Sequence, residues 1–197
     1  MHAHMRELSD ALTRTDVESV EHWGHTAAPA LASGKHLFAC GNGGSAAEAQ
    51  HLTAELTGRF ERERAPLSAL ALHAETSSLT AIANDYGYRY SFARQLRAHA
   101  SEGDILVCLS TSGASENVVE AARAARELGV VTWSLTGPEA SALSVLSDEA
   151  VGVPAVSAST IQEVHLALVH VFCAAVDHRL ERLGLALEVP VPRRTST

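Results

Sequence analysis

The chain has 197 residues, of which 46% are hydrophobic and 19% charged, so it is long and apolar enough to bury a core as one globular domain. Disorder as the main state is thereby excluded. The formal net charge of -8 argues against a general nucleic-acid surface, because the neutralisation of phosphates needs a basic face. A small anionic ligand is compatible with this charge, since backbone N–H groups at a helix N-terminus can hold one.

The sequence also suggests where the protein resides. Its apolar runs are shorter than the ~20 residues needed to cross a bilayer, and residues 1–10 lack the basic-then-apolar plan of a secretory signal. Cys40, Cys108 and Cys173 lie in apolar contexts, which predicts buried, reduced thiols. We therefore expect a cytoplasmic protein without cysteine chemistry.

Helical and strand patterns alternate along the chain. From Met5 to Leu31 apolar side chains recur at roughly helical spacing, which predicts one or two amphipathic helices. Strands are predicted at His36–Cys40, Leu67–Leu72, Ile105–Leu109, Val130–Leu135 and Ala150–Val153. Helices are predicted at Ala46–Leu56, Glu116–Leu128, Ala140–Leu146 and Ile161–Leu183. Such alternation predicts an α/β fold, with a parallel sheet covered by helices on both faces.

The domain organisation is simple. Neither an internal repeat nor a linker divides the chain, so residues 1–188 are predicted to form a single domain, with residues 1–33 as an N-terminal helical arm. Residues 189–197 are predicted to be a disordered tail.

A glycine-rich turn, Gly41 to Ser45, ends the first predicted strand and opens a helix. Its N–H groups can converge on an anion, and its glycines permit close approach. The dinucleotide fingerprint is incomplete, because Ala46 takes the sixth position and no acidic residue follows where one is expected. A purely structural tight turn is an equally good explanation of this motif alone.

A second turn, after the Ile105–Leu109 strand, is rich in hydroxyl groups. It contains Ser110, Thr111, Ser112 and Ser115. Serine at such a position is often only a helix N-cap. Four hydroxyls within six residues exceed what capping requires, and together with helix N–H groups they suit a phosphate monoester.

Two helices carry candidate acid–base or metal-binding residues. His51 and Glu55 are four residues apart and share a helix face. Gln162 and His170 lie eight residues apart on the last helix, where both can line the edge of one cleft. Each histidine taken alone is more often structural than functional. Together these residues could move protons beside a carbonyl, or they could gather around a divalent metal such as zinc.

Four segments, in this order, resemble a known family: GNGGSAAEAQHLTAELTGRF (41–60), AIANDYGY (81–88), STSGASENV (110–118) and IQEVHLALVH (161–170). They are similar to the sedoheptulose-7-phosphate isomerases, also called phosphoheptose isomerases, of the sugar-isomerase (SIS) domain family. The resemblance implies a three-layer α/β/α sandwich with a five-stranded, flavodoxin-like parallel sheet. It also implies a homotetramer, joined through residues 1–33, with active sites between subunits. The implied reaction converts sedoheptulose 7-phosphate to D-glycero-D-manno-heptose 7-phosphate.

The resemblance also assigns roles to residues. It implies that Glu55 is the general base and His170 a second acid–base group. The implied zinc ligands, for one Zn²⁺ in each active site, are His51, Glu55, Gln162 and His170. The implied phosphate-binding residues are Ser110, Ser112 and Ser115, with Thr111 beside them. The residues expected to hold or orient the sugar are Asn42, Gly43, Ser45, Arg59, Asn84, Asp85 and Gln162. The segment 61–65 (ERERA) varies within the family and indicates nothing about substrate.

Two other functions are compatible with these motifs. A non-catalytic SIS protein could bind a replication initiator, and a sensor module could bind a sugar phosphate without converting it. The pairing of Glu55 with His170 favours the enzyme, because a scaffold has no chemical reason to assemble a base and an acid.

Overall fold

The computed structural model describes residues 2–138 and 140–185. The predicted tail, 189–197, lies outside the described residues. The helices are α1 (Ala3–Arg14), α2 (Val17–Ala32), α3 (Gly44–Thr57), α4 (Thr76–Tyr86), α5 (Ser91–His99), α6 (Glu116–Leu128), α7 (Ala142–Leu146) and α8 (Ala158–Arg182), with a 3-10 turn at Tyr88–Tyr90. The strands are β1 (Leu37–Cys40), β2 (Ala69–Ala71), β3 (Ile105–Ser110), β4 (Val131–Thr136) and β5 (Glu149–Gly152).

The five strands form one parallel sheet in the order β2-β1-β3-β4-β5. Every residue of β1 and β3 is buried, as expected of central strands with helices on both faces. In register, Leu37 of β1 lies opposite Ile105 of β3, which lies opposite Val131 of β4. The predicted three-layer α/β/α sandwich with a five-stranded parallel sheet is confirmed.

Two hydrophobic clusters fill the layers on either side of the sheet. One is formed against α2, α3 and α8, and the other against α5 and α6. In the first cluster Trp23 of α2 stacks on Trp133 of β4, with ring centroids 5.5 Å apart, and the Trp23 Nε1–H donates to Glu149 on β5. Helix α2 is thus part of the core, while an oligomerisation role for residues 1–33 stays a prediction.

Helix α8 is longer and more apolar than expected. Within residues 2–138 and 140–185, α8 is long and apolar enough to cross a membrane by length and composition alone. However, 56% of its most apolar 18-residue stretch is buried inside the fold. Its buried residues include Val164, Leu168 and Phe172, which belong to the first core cluster. The expectation that no stretch is this apolar was wrong for α8, and its burial is that of a core helix.

The segment between β2 and β3 holds helices that the patterns did not predict. No residue of α4 is buried, so this helix lacks the apolar periodicity that would reveal it. The three cysteines agree with expectation, since each is buried and free. The Sγ atoms of Cys40 and Cys108 lie 3.7 Å apart on neighbouring strands.

Candidate active site

The glycine turn brings α3 into close contact with α8. Gly43 has a φ of +57°, which side chains other than glycine rarely tolerate. A Cβ atom on Gly44 would lie 2.7 Å from the amide group of Gln162, so a larger residue at this crossing would displace that side chain. Ser45 is buried in the first turn of α3. The turn therefore places Gln162 directly beside the N-terminal end of α3.

An asparagine pair joins the glycine turn to the serine turn. The Asn42 Nδ2–H donates to the Asn117 Oδ1 and the Asn117 Nδ2–H donates to the Asn42 Oδ1, each at 2.9 Å. The Tyr88 hydroxyl also donates to the Asn42 Oδ1, at 3.0 Å. Asn117 and Tyr88 were not predicted, although both lie inside the motifs that carried the resemblance. Asn117 is buried in the first turn of α6, and this pairing explains why a polar side chain is tolerated there.

The serine turn faces the N-terminal end of α6. The Gly113 N–H donates to the Ser110 Oγ at 3.1 Å, and the Ala114 N–H donates to the Ser112 Oγ at 3.2 Å. Ser115 is the N-cap residue of α6, but its side chain makes no capping hydrogen bond; its Oγ lies 3.3 Å from the Ser110 Oγ. A hydroxyl that does not cap, next to the N–H groups of a helix start, is suited to an anionic ligand.

Three of the predicted acid–base or metal-binding residues meet where α3 and α8 are in contact again, further from the glycine turn. The Nε2 atoms of His51 and His170 lie 3.0 Å apart, and the Glu55 Oε1 lies 3.3 Å from the same His51 nitrogen. The ring of Phe60 stacks on His170 at a centroid distance of 5.7 Å. All three polar side chains are only partly buried, so a ligand can reach them. Glu55 and His170, 115 residues apart in sequence, are thus connected through His51.

The predicted site is nevertheless divided within one chain. Gln162 lies beside Gly44, whereas His170, eight residues further along α8, pairs with His51. Eight residues of α-helix span about 12 Å. The turns with Gln162 therefore form one half-site, and His51, Glu55 and His170 form another, hereafter the histidine–glutamate cluster.

Three predicted sugar-binding residues lie on the surface. Arg59 is exposed beyond the end of α3, with its Nε 3.7 Å from the Glu63 carboxylate. Asn84 and Asp85 are exposed on the last turn of α4, where the Asn84 Nδ2–H donates to the Asp85 Oδ1 at 2.8 Å. The hydrogen bonds and ion pairs found for these three side chains within the chain do not involve the two half-sites.

A buried acid and a buried histidine lie between the two half-sites. Glu48 of α3 and His165 of α8 face each other at 3.9 Å, Oε2 to Nδ1, and neither atom has a hydrogen-bond partner among the residues that the structure describes. The His165 Nε2 lies 3.1 Å from the carbonyl oxygen of Thr136. Burial raises the pKa of Glu48 to about 8 and lowers the pKa of His165 to about 4. Both shifts favour a neutral pair.

The fold and the paired turns define the class of protein. A parallel α/β sheet with a glycine turn after β1 and a serine turn after β3 is the architecture of a SIS domain, and the SIS domain family model matches residues 2–137.

The relatives define the family within that class. A phosphoheptose isomerase from Streptomyces coelicolor is 55% identical over 181 residues, which cover 91% of this chain and 78% of that protein. A solved structure of a phosphoheptose isomerase from Neisseria gonorrhoeae superposes with a TM-score of 0.79 at 37% identity, and one from Francisella tularensis does so at 34% identity with the same score. Each superposition covers 89% of this chain and 93% of the solved one. The chain belongs to the phosphoheptose isomerase family and is an isomerase.

Proposed function

We propose that the protein converts D-sedoheptulose 7-phosphate to D-glycero-D-manno-heptose 7-phosphate through an enediol. The observation that carries this proposal is the meeting of His51, Glu55 and His170 in a chain whose relatives are phosphoheptose isomerases. Neither a replication-initiator partner nor a sugar-phosphate sensor needs such a cluster, so the geometry favours catalysis over the two alternatives.

Ketose-to-aldose conversion moves a proton from C1 to C2 of the open-chain sugar. A second proton is transferred between the oxygen atoms on these two carbons. One carboxylate can carry the carbon-bound proton, and we assign this role to Glu55. His170 moves the oxygen protons. His51 lies between them, with its Nε2 3.0 Å from the His170 Nε2 and 3.3 Å from the Glu55 Oε1.

The opposite half-site would bind the phosphate and orient the sugar. Ser110, Ser112 and Ser115, with Thr111 beside them, offer hydroxyl groups at the start of α6. Because the phosphate is remote from the reacting carbons, these residues contribute binding and position instead of proton transfer. The remaining proposed sugar contacts are Asn42, Gly43, Ser45, Arg59, Asn84, Asp85 and Gln162.

A zinc ion in each site is part of the proposal. The His51 Nε2 lies 3.0 Å from the His170 Nε2 and 3.3 Å from the Glu55 Oε1, and imidazole and carboxylate groups are donors that zinc favours. We propose that His51, Glu55 and His170 would hold it, with Gln162 as the fourth ligand. Within residues 2–138 and 140–185 no three His, Cys, Asp or Glu side chains of one chain are already arranged as a metal site. When bound, zinc would polarise the sugar carbonyl.

The division of the site supports a proposal about assembly. Gln162 lies beside Gly44, whereas His170 pairs with His51, and about 12 Å of helix separates the backbone positions of Gln162 and His170; we infer that one chain does not complete the set. A second subunit could supply the missing half-site, which agrees with a homotetramer whose active sites lie between subunits.

The net charge of -8 and the free, buried cysteines support a cytoplasmic enzyme without nucleic-acid or membrane partners.

The test compares Glu55→Gln with Ser115→Ala, one variant from each half-site. With sedoheptulose 7-phosphate as substrate and detection of the aldoheptose product, we expect Glu55→Gln to abolish turnover while substrate still raises the melting temperature. Ser115→Ala should chiefly raise KM. Wild-type protein that yields no aldoheptose would refute the function, and a Glu55→Gln variant of near wild-type activity would refute the base assignment.

A further inference from the structure

Arg64 lies in the segment between α3 and β2, and its guanidinium is buried, with four hydrogen bonds from its five N–H groups. One nitrogen donates to the Glu55 carbonyl oxygen at 2.8 Å, and another donates to the carbonyl oxygens of Leu56 at 2.8 Å and Ala65 at 3.1 Å. The Nε–H donates to the Asp177 Oδ1 at 2.7 Å. Side-chain exposure is 2% for Arg64 and 4% for Asp177. The guanidinium therefore binds the backbone of Glu55, the proposed base.

The same guanidinium is fixed to the helix that carries His170. Asp177 lies on α8 seven residues after His170, close to two full turns, so the two side chains share a helix face. Arg64 thus connects the last turn of α3, with Glu55, to the His170 face of α8. We propose that Arg64 is a positioning residue, which sets the place of the Glu55 carboxylate relative to His51 and His170.

The geometry needs an arginine. The three nitrogen atoms of the planar guanidinium together donate four hydrogen bonds. A lysine has a single ammonium group on a flexible side chain and cannot reproduce this arrangement. The position also suits a cation, because the C-terminal end of a helix carries partial negative charge. A lysine at position 64 could keep the ion pair with Asp177 while it loses carbonyl contacts at the end of α3.

This proposal rests on the proposed function, and it predicts a specific kinetic change. Misplacement of a catalytic group by about 1 Å can reduce the rate by about 100-fold. The proposed phosphate turn lies at the other end of the α3–α8 contact. A shift of Glu55 should therefore lower kcat and leave KM nearly unchanged, whereas general loosening of the fold would change both.

The chain offers a matched control two residues away. Arg62 is in the same segment and also pairs with α8, through Glu181, but its side chain is exposed. No hydrogen bond from the Arg62 side chain to an α3 carbonyl is found among the described residues. Arg62→Lys therefore makes the same arginine-to-lysine change at a residue that is not proposed to position Glu55.

The experiment measures kcat and KM for sedoheptulose 7-phosphate in wild type, Arg64→Lys and Arg62→Lys, after circular dichroism has shown that each is folded. We expect kcat to fall 10- to 100-fold in Arg64→Lys with KM within twofold, and neither constant to change in Arg62→Lys. Asp177→Asn, which removes the negative charge opposite the guanidinium and keeps the shape of the side chain, should weaken this anchor and repeat the fall in kcat, and it decides the matter if Arg64→Lys does not fold.

Two results would overturn the positioning role. One is a folded Arg64→Lys or Asp177→Asn variant with kcat within twofold of wild type. The other is a rise in KM that matches or exceeds the fall in kcat. An inactive wild-type protein would refute the proposed function instead, so the two failures are distinguishable.

Discussion

Two ionisable pairs lie buried between the α3 region and α8, and they differ in how completely they are hydrogen-bonded. Arg64 and Asp177 approach to 2.7 Å, and Arg64 makes three more bonds to carbonyl oxygens. Glu48 and His165 stay 3.9 Å apart, and the two facing atoms have no partner. Both pairs are almost entirely removed from solvent.

The difference shows how one helix pair manages two kinds of buried ionisable group. A buried ion pair is tolerated when its geometry and extra hydrogen bonds offset desolvation, as for Arg64 with Asp177. Where that is missing, the groups become neutral instead, and burial moves the pKa of Glu48 up and that of His165 down. A neutral Glu48 and a neutral His165 leave no uncompensated charge at this contact, while the His165 Nε2–H donates to the carbonyl oxygen of Thr136.

The largest expected effect follows from removal of the anion of the Arg64–Asp177 pair. Asp177→Ala leaves the Arg64 guanidinium buried without its counter-charge, and such losses cost about 3–5 kcal/mol of unfolding free energy. Urea unfolding at pH 7 and fixed protein concentration would measure it, since an assembly's stability depends on concentration.

A useful control is Glu181→Ala, one turn further along α8, whose carboxylate pairs with exposed Arg62. The unfolding free energy lost in Glu181→Ala should be several-fold smaller than that lost in Asp177→Ala. If Asp177→Ala lost less than about 1 kcal/mol, the pair would not be desolvated in solution, and the contrast between the two buried pairs would collapse.

The second effect is a pH dependence from the unbonded pair. Between its ordinary pKa of 4.5 and about 8, folded Glu48 holds a proton that the unfolded chain has released, so stability falls as pH rises. Between about 4 and 6.5 the unfolded chain holds a proton that folded His165 lacks, so stability rises with pH there. The slopes cancel from 4.5 to 6.5, and above 6.5 Glu48 acts alone.

Glu48→Gln tests this, because glutamine keeps the shape and a donor towards His165 but does not titrate. From pH 6.5 to 8 the wild type should lose about 2 kcal/mol of unfolding free energy relative to the variant. Chemical denaturation at several pH values would measure the difference. Parallel curves for the two proteins across this range would show that Glu48 is ionised in the fold.

Much of the fold was predictable because its signals are local. The strands β1 and β3 are continuous apolar runs that end in glycine or serine turns, and α6 was placed at its observed bounds, Glu116–Leu128. Helix α4 was missed, since no residue in it is buried and no apolar stripe marks it. Local patterns therefore locate elements that are apolar throughout or that carry an apolar stripe, and they miss an exposed helix such as α4.

The candidate site was predictable only in part. The spacing of His51 and Glu55 places them on one helix face, and the last helix offers His170 as a candidate, but the role of His170 as the second acid–base group depended on resemblance to a family. Arg64 was missed altogether, because the run Glu61 to Ala65 alternates charges and its local pattern does not say which arginine turns inward. Asp177, which decides this, lies 113 residues away in sequence.

The smallest expected effect sharpens that last distinction. Arg62→Ala removes an arginine two residues from Arg64, but its partner Glu181 is more than half exposed, as is Arg62 itself. Exposed pairs contribute about 0–1 kcal/mol and are screened by salt. We therefore expect a loss below about 1 kcal/mol in urea unfolding at low salt, and no difference from wild type in 1 M NaCl. A loss near 3 kcal/mol that persists in high salt would mean that this surface is covered in the assembled protein, so that Arg62 would behave like its buried neighbour.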